Sequence, residues 1–146
     1  MTLNTPFGQA SHPAHPYVAT NEFHVRYAET DAMGIVNHAS YILWMEEARS
    51  NYARSRGTDY ADFERSGYAL AVIDVHAHYR ASARYGDLIN IRCWVSTLSS
   101  RGLTFTYEIL NARTNDLLVT GETRHICLNR QGQPSIIPDE ARWWMS

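Results

Sequence analysis

The sequence predicts one α+β domain in which an antiparallel sheet packs against a single long helix. Three observations carry this reading. Apolar residues recur at helical spacing from His38 to Arg56, a series of strand-like segments follows without another long helical pattern, and 146 residues are enough for one ordinary domain but not two. Hydrophobic residues make up 45% of the chain and charged ones 19%, the composition of a chain that folds on a core.

Met1 to Thr20 combines Pro6, Pro13 and Pro16 with small polar residues and has no sustained periodicity, so residues 1–20 read as a flexible arm ahead of a domain at 21–146. Phe23, Val25 and Tyr27 then alternate with His24, Arg26 and Ala28, which predicts a first strand with the former three on its buried face. It gives way at Glu29-Thr30-Asp31 to a turn, Asp31-Ala32-Met33-Gly34. In the helix Tyr41, Met45, Ala48 and Tyr52 share one face, supported by Ile42 and Trp44. Asn37 stands where an N-cap is wanted, and Arg54, Arg56 and Gly57 supply the cationic last turn and glycine stop. Glu46 and Glu47 follow Trp44-Met45 and precede Arg49, so a solvated or i,i+3 ion-paired helix face accounts for at least one of them.

After a connector at Thr58 to Gly67, Tyr68 to Arg80 reads as a long strand rich in Val, Ile, His and Tyr, and Leu88 to Leu98 as the next. Ser99-Ser100-Arg101-Gly102 turns the chain into a segment where Leu103, Phe105, Tyr107 and Ile109 alternate with polar residues, which predicts a hairpin. Asn111 to Asp116 is a further turn, Leu117 to Leu128 the last strand, and Gln131-Gly132-Gln133-Pro134 a closing loop. A sheet of these strands that curls around the helix buries the helical stripe.

Thirteen basic against fifteen acidic side chains give a net charge of -2, which argues against nucleic acid or an anionic membrane as partner. No apolar run approaches membrane-spanning length, and the start lacks the basic residues and hydrophobic stretch of a secretory signal, so a cytoplasmic location is expected. Cys93 and Cys127 each sit inside an apolar strand-like run and read as buried free thiols. The pairs His12/His15 and His76/His78 lack the further ligands a zinc site needs, so no metal is expected.

The run Val25-Arg26-Tyr27-Ala28-Glu29-Thr30-Asp31-Ala32-Met33-Gly34-Ile35-Val36-Asn37-His38-Ala39-Ser40-Tyr41 resembles the 4-hydroxybenzoyl-CoA thioesterase-like family of acyl-CoA thioesterases. The likeness continues through Trp44, Asn51-Tyr52, Tyr85-Gly86-Asp87 and Gly132-Gln133-Pro134 to Pro138, most of Glu22 to Asp139. It implies a hotdog fold, an antiparallel sheet wrapped around the central helix, and hydrolysis of an acyl-CoA or acyl-carrier thioester without metal or redox cofactor. By the resemblance, Asp31 matches the carboxylate that attacks the thioester carbonyl or activates water. The position of His38 supplies a backbone N–H to the developing oxyanion, a role suited to the unpaired amides and positive end of a helix N-terminus. Asn37 and Ser40 flank that site.

Arg101, His125 and Arg130 match regions that contact the nucleotide end of CoA, where cations meet phosphates. The resemblance also implies a homo-oligomer, a dimer or a dimer of dimers (a homotetramer), with each active site between two subunits. By residue type alone, Asp31 is also an ordinary turn or capping aspartate. Glu46 and Glu47 rank below it as the catalytic carboxylate. Two other functions stand beside hydrolysis: a hotdog hydratase or dehydratase, whose histidine-plus-carboxylate signature is not evident, and a noncatalytic acyl-CoA or acyl-carrier binding module.

Overall fold

A computed structural model describes residues 16–146; most of the expected arm, with its His12/His15 pair, lies outside the described residues. In chain order the elements are β1 (Ala19–His24), a 3-10 turn (Tyr27–Glu29), α1 (His38–Ser55), α2 (Tyr60–Arg65), β2 (Ala69–Tyr79), β3 (Leu88–Leu98), β4 (Gly102–Asn111), β5 (Leu117–Leu128) and α3 (Asp139–Met145). The strands form one antiparallel sheet in the order β1-β3-β4-β5-β2. With the long helix packed on it, this is the α+β hotdog arrangement that the sequence led us to expect.

Helix α1 begins and ends where its own residues stop the chain. The Asn37 side chain accepts the Ser40 N–H at 3.0 Å, and Gly57 takes φ +91° just past the last turn, a conformation that disfavours any residue with a Cβ. The expected stripe is the buried one: Tyr41, Trp44, Met45, Ala48 and Tyr52 are 0–3% exposed. Its seat on the sheet is Gly121 of β5, where a Cβ would collide with the Met45 side chain and lie 3.0 Å from the His76 carbonyl. Gly121 thus leaves room for the Met45 side chain, whose flexible end must shift if a larger residue stands there.

Two elements differ from expectation. The first strand starts at Ala19 and stops at His24, paired from Ala19↔Cys93 to His24↔Leu88. Beyond it the Val25 N–H turns to the Asp87 carbonyl (2.9 Å), and the Glu29 carboxylate draws in both the Arg26 N–H and guanidinium, each at 2.8 Å. That reciprocal cap winds the chain into the 3-10 turn, so Tyr27 is 77% exposed instead of facing the core. The second difference is α3, which the sequence reading missed. Pro138 precedes it, Asp139 and Glu140 occupy its positive first turn, and it buries Ala141, Trp144 and Met145.

The sheet has two ends and two edges that matter for function. One end carries the C-terminus of β2 and the N-termini of β3 and β5; the other carries the β3–β4 turn and the C-terminus of β5. Strand β2 is an edge, hydrogen-bonded only to β5, and it leaves Val72, Ile73, Val75 and Tyr79 40–46% exposed.

Candidate active site

The Asp31 loop is a closed backbone structure at the first end of the sheet. The Asp31 N–H donates to the Ile35 carbonyl (2.8 Å), the Gly34 N–H returns to the Asp31 carbonyl (3.0 Å), and the Asn37 N–H donates to the Glu29 carbonyl (3.0 Å). Val36 is tied by its N–H to the Ala83 carbonyl at 2.9 Å. Gly34 takes φ +80°, which the tight return requires. The loop is therefore fixed without any help from core packing of Asp31, whose side chain is exposed.

One carboxylate oxygen of Asp31, Oδ1, accepts the Met33 N–H at 2.8 Å in an Asx-turn. Oδ2 has no protein partner among the described residues. The turn role anticipated for a lone aspartate is thus real, and it uses half of the carboxylate. A few residues on, α1 begins at His38. Asn37 caps the Ser40 N–H, whereas the N–H groups of His38 and Ala39 lie in the first turn, where no intrahelical acceptor exists. The loop thus sets an anionic oxygen and the positive end of an 18-residue helix on one short stretch of chain.

The remaining polar groups are mostly scaffolding. Glu29 is the hub: its carboxylate accepts from Trp44 Nε1 at 2.6 Å as well as from Arg26, and its carbonyl accepts from Asn37 Nδ2 (3.2 Å). Burial acts to raise the Glu29 pKa, but the hydrogen bonds from Arg26 and Trp44 outweigh it and hold the carboxyl below its ordinary range. Ser40 is buried with its hydroxyl on Asn37 Oδ1 (3.2 Å), so it braces the loop against the helix start. His38 is exposed; its ring meets Tyr79 edge-on at 5.0 Å, and the Tyr79 hydroxyl donates to the His38 carbonyl at 3.1 Å. Glu29 and Tyr79 are the residues that sequence reasoning overlooked. In the sequence Glu29 reads as a strand end and Tyr79 as a strand residue, and neither carries a signal of its partner.

None of the three residues expected at the CoA nucleotide lies beside Asp31 within one chain. Arg101 is exposed in the β3–β4 turn and Arg130 just past β5, where its guanidinium donates to the Ser66 carbonyl (3.3 Å). Both belong to the opposite end of the sheet from Asp31, about 30 Å away along strands of this length. Within one chain the fold does not bring them to Asp31. His125 is not on the surface: it is 3% exposed, and its Nε2 is 2.7 Å from the Thr123 hydroxyl. Burial, together with the nearby Arg49 charge, lowers its pKa to about 4. A neutral interior imidazole does not serve as a surface cation for phosphate. Glu46 and Glu47 are exposed, and Glu47 pairs with Arg54 at 2.7 Å, not with Arg49. Cys93 and Cys127 are buried free thiols as expected, and burial pushes the Cys127 thiol up to about 11. Among the described residues no cluster of three metal-ligating side chains occurs, and no helix is long and apolar enough to cross a membrane.

Comparison with known proteins gives the family. Residues 25–145 match the model of the thioesterase-like superfamily. YneP of Bacillus subtilis, provisionally named an acyl-CoA thioesterase, is 33% identical over 79% of this chain and 83% of its own length. The acyl-CoA thioester hydrolase YbgC of Escherichia coli is 32% identical over 72% of this chain and 78% of its own. Among solved structures, the DHNA-CoA thioesterase of Staphylococcus aureus superposes with a TM-score of 0.81 at 33% identity, covering 87% of this chain and 85% of that one.

Proposed function

We propose, because this chain belongs to the thioesterase-like superfamily, that it hydrolyses an acyl-CoA thioester to CoA and a free carboxylic acid, with Asp31 as the catalytic carboxylate. The observation that carries the reading is the Oδ2 of Asp31, without a partner among the described residues, on a backbone-fixed loop beside the first turn of α1. In the reaction an oxygen adds to the thioester carbonyl, negative charge develops on the carbonyl oxygen, the C–S bond breaks and the thiolate departs with a proton. The His38 N–H meets the developing oxyanion, and the helix end favours that charge. Asp31 either accepts the proton of the attacking water or itself attacks to form a mixed anhydride that water then opens. Asn37 and Ser40 hold the two partners together.

The same reading includes a homo-oligomer, a dimer or a dimer of dimers, that works in the cytoplasm. Its support is strand β2, a long apolar edge of the kind that pairs or aggregates when left bare. Two copies of β2 paired antiparallel about a two-fold axis set the Tyr79 end of one against the Leu70 end of the other. That pairing brings Arg101 and Arg130 of the second copy toward Asp31 of the first, which is how cations from the far end reach a CoA bound there. The test is a panel of acyl-CoA and acyl-carrier thioesters with free-thiol detection and mass analysis of the acid. Release of both products from at least one acyl-CoA is expected, and intact thioester across the panel refutes the proposal. In a single turnover in ¹⁸O water, label in Asp31 marks the anhydride route with water opening the anhydride at the Asp31 carbonyl.

A further inference from the structure

We propose that the cavity between the C-terminal half of α1 and the far end of the sheet is a binding site for a small carboxylic acid, about one ring in size, with its carboxylate held by Arg49. The cavity has a volume of about 120 Å³ and is lined by Arg49, Tyr60, Leu70, Phe105, His125 and Trp144 among others. That is near the roughly 150 Å³ of an apolar cavity that holds benzene. None of the residues of the Asp31 loop or the first turn of α1 lines it, and Arg49 lies about 16 Å beyond His38 along the helix. It is a separate place in the chain, and the inference does not depend on the thioesterase reading.

Arg49 is the reason to expect an anion. Its side chain is half-buried, and its guanidinium carries five N–H donors. One goes to the Tyr107 hydroxyl at 3.3 Å, and no carboxylate lies within ion-pair distance among the described residues. Tyr107 cannot supply charge: its hydroxyl is 2.7 Å from Thr123 Oγ1, which is 2.7 Å from His125 Nε2, and His125 Nδ1 lies 3.4 Å from the Leu70 carbonyl. This buried chain is closed on itself and neutral, since burial raises the Tyr107 pKa and lowers that of His125. A half-buried guanidinium with one neutral acceptor among the described residues keeps donors open toward the cavity, and its planar fork fits the two oxygens of a carboxylate. The aromatic and aliphatic walls take the body of the ligand. Glu46 also lines the cavity, but it is exposed to solvent and not paired with Arg49, so it weakens an anion's binding without blocking it.

Calorimetric titration of the full chain with benzoate and with benzamide, its neutral near-isostere, tests the site. Benzoate is expected to bind at least about tenfold more tightly than benzamide, the value of a charge-assisted hydrogen bond. Arg49→Met should lose that preference, Arg49→Lys should keep part of it, and Glu46→Gln should bind benzoate as well or more tightly. Asp31→Asn should bind benzoate as the unchanged protein does, whatever its turnover. Equal affinity for benzoate and benzamide overturns the proposal, as does no benzoate binding, or full benzoate affinity in a folded Arg49→Met. If Arg49→Met fails to fold, the benzoate-to-benzamide ratio on the unchanged protein decides. A second arm uses Asp31→Asn loaded with glutaryl-CoA or butyryl-CoA. Displacement of benzoate by glutaryl-CoA alone supports the site with the carboxylate arriving on an acyl chain, and displacement by neither supports it with a free acid.

Discussion

The two ends of the sheet solve opposite problems with the same kinds of residue. At the Asp31 end a carboxylate stands exposed, and it is held in place by backbone hydrogen bonds across a short loop and by one buried hub, Glu29. At the far end a cation and an imidazole are drawn inward, and they are held by a chain of side-chain hydroxyls running from Arg49 to His125. The first arrangement keeps an ionised group wet and available. The second keeps a group neutral by burial. The exposed carboxylate is thus placed by the main chain and the interior polar groups by packing, so substitutions at the two ends should have separable signatures in turnover and in stability.

The sharpest break between them is Asp31→Asn. It keeps the acceptor for the Met33 N–H and removes the anionic oxygen, so turnover should fall by about 10² to 10⁴ while the melting temperature barely moves. Near-normal hydrolysis by a folded Asp31→Asn protein would falsify the catalytic assignment. Next comes the link between the ends. Val75→Lys places a charge at the middle of the exposed β2 edge, and it should split the oligomer in sedimentation and cost turnover without lowering helix content. An active monomer at high dilution speaks against a site shared between subunits.

The far end responds to pH. His125 has a folded pKa near 4, below its ordinary value of 6.5, so between those values the unfolded chain binds more protons than the folded one. Its contribution is therefore fully present above pH 6.5 and is lost as pH falls toward 4, to the extent of up to about 3 kcal/mol. Melting curves from pH 4 to 7.5 should show that loss, and His125→Gln should flatten it; an unchanged profile in the variant places the acid sensitivity elsewhere. Glu29→Gln has a smaller reach. It removes charge from the acceptor of Arg26 and Trp44 and should cost about 1–3 kcal/mol of stability, with faster amide exchange in the Asp31 loop. Protection that stays unchanged there removes Glu29 as the hub. Smallest of all in turnover, Cys93→Ala with Cys127→Ala should leave the chemical step intact and lower only the melting temperature, because both thiols are interior packing groups. A well-folded double variant without turnover would contradict that.

Sequence by itself determined what depends on near neighbours. The periodicity of Tyr41, Met45, Ala48 and Tyr52 marked the buried stripe, Asn37 and Gly57 marked its ends, and the turns at Ser99–Gly102 and Asn111–Asp116 marked the strand breaks, since capping and turn chemistry act within a few residues. The turn around Asp31 was legible for the same reason: apart from the Val36 N–H on the Ala83 carbonyl, its backbone hydrogen bonds run between residues 29 and 37. Only tertiary structure decided the rest. That α3 packs Trp144 inward, that His125 is buried, and that Arg101 and Arg130 stand at the far end from Asp31 all follow from which elements lie side by side. A strand pattern tells which residues share a face, but a period of two is the same at either end of a strand and on either side of a sheet. The choice is made by long-range pairing, whose partners are scores of residues away in the chain.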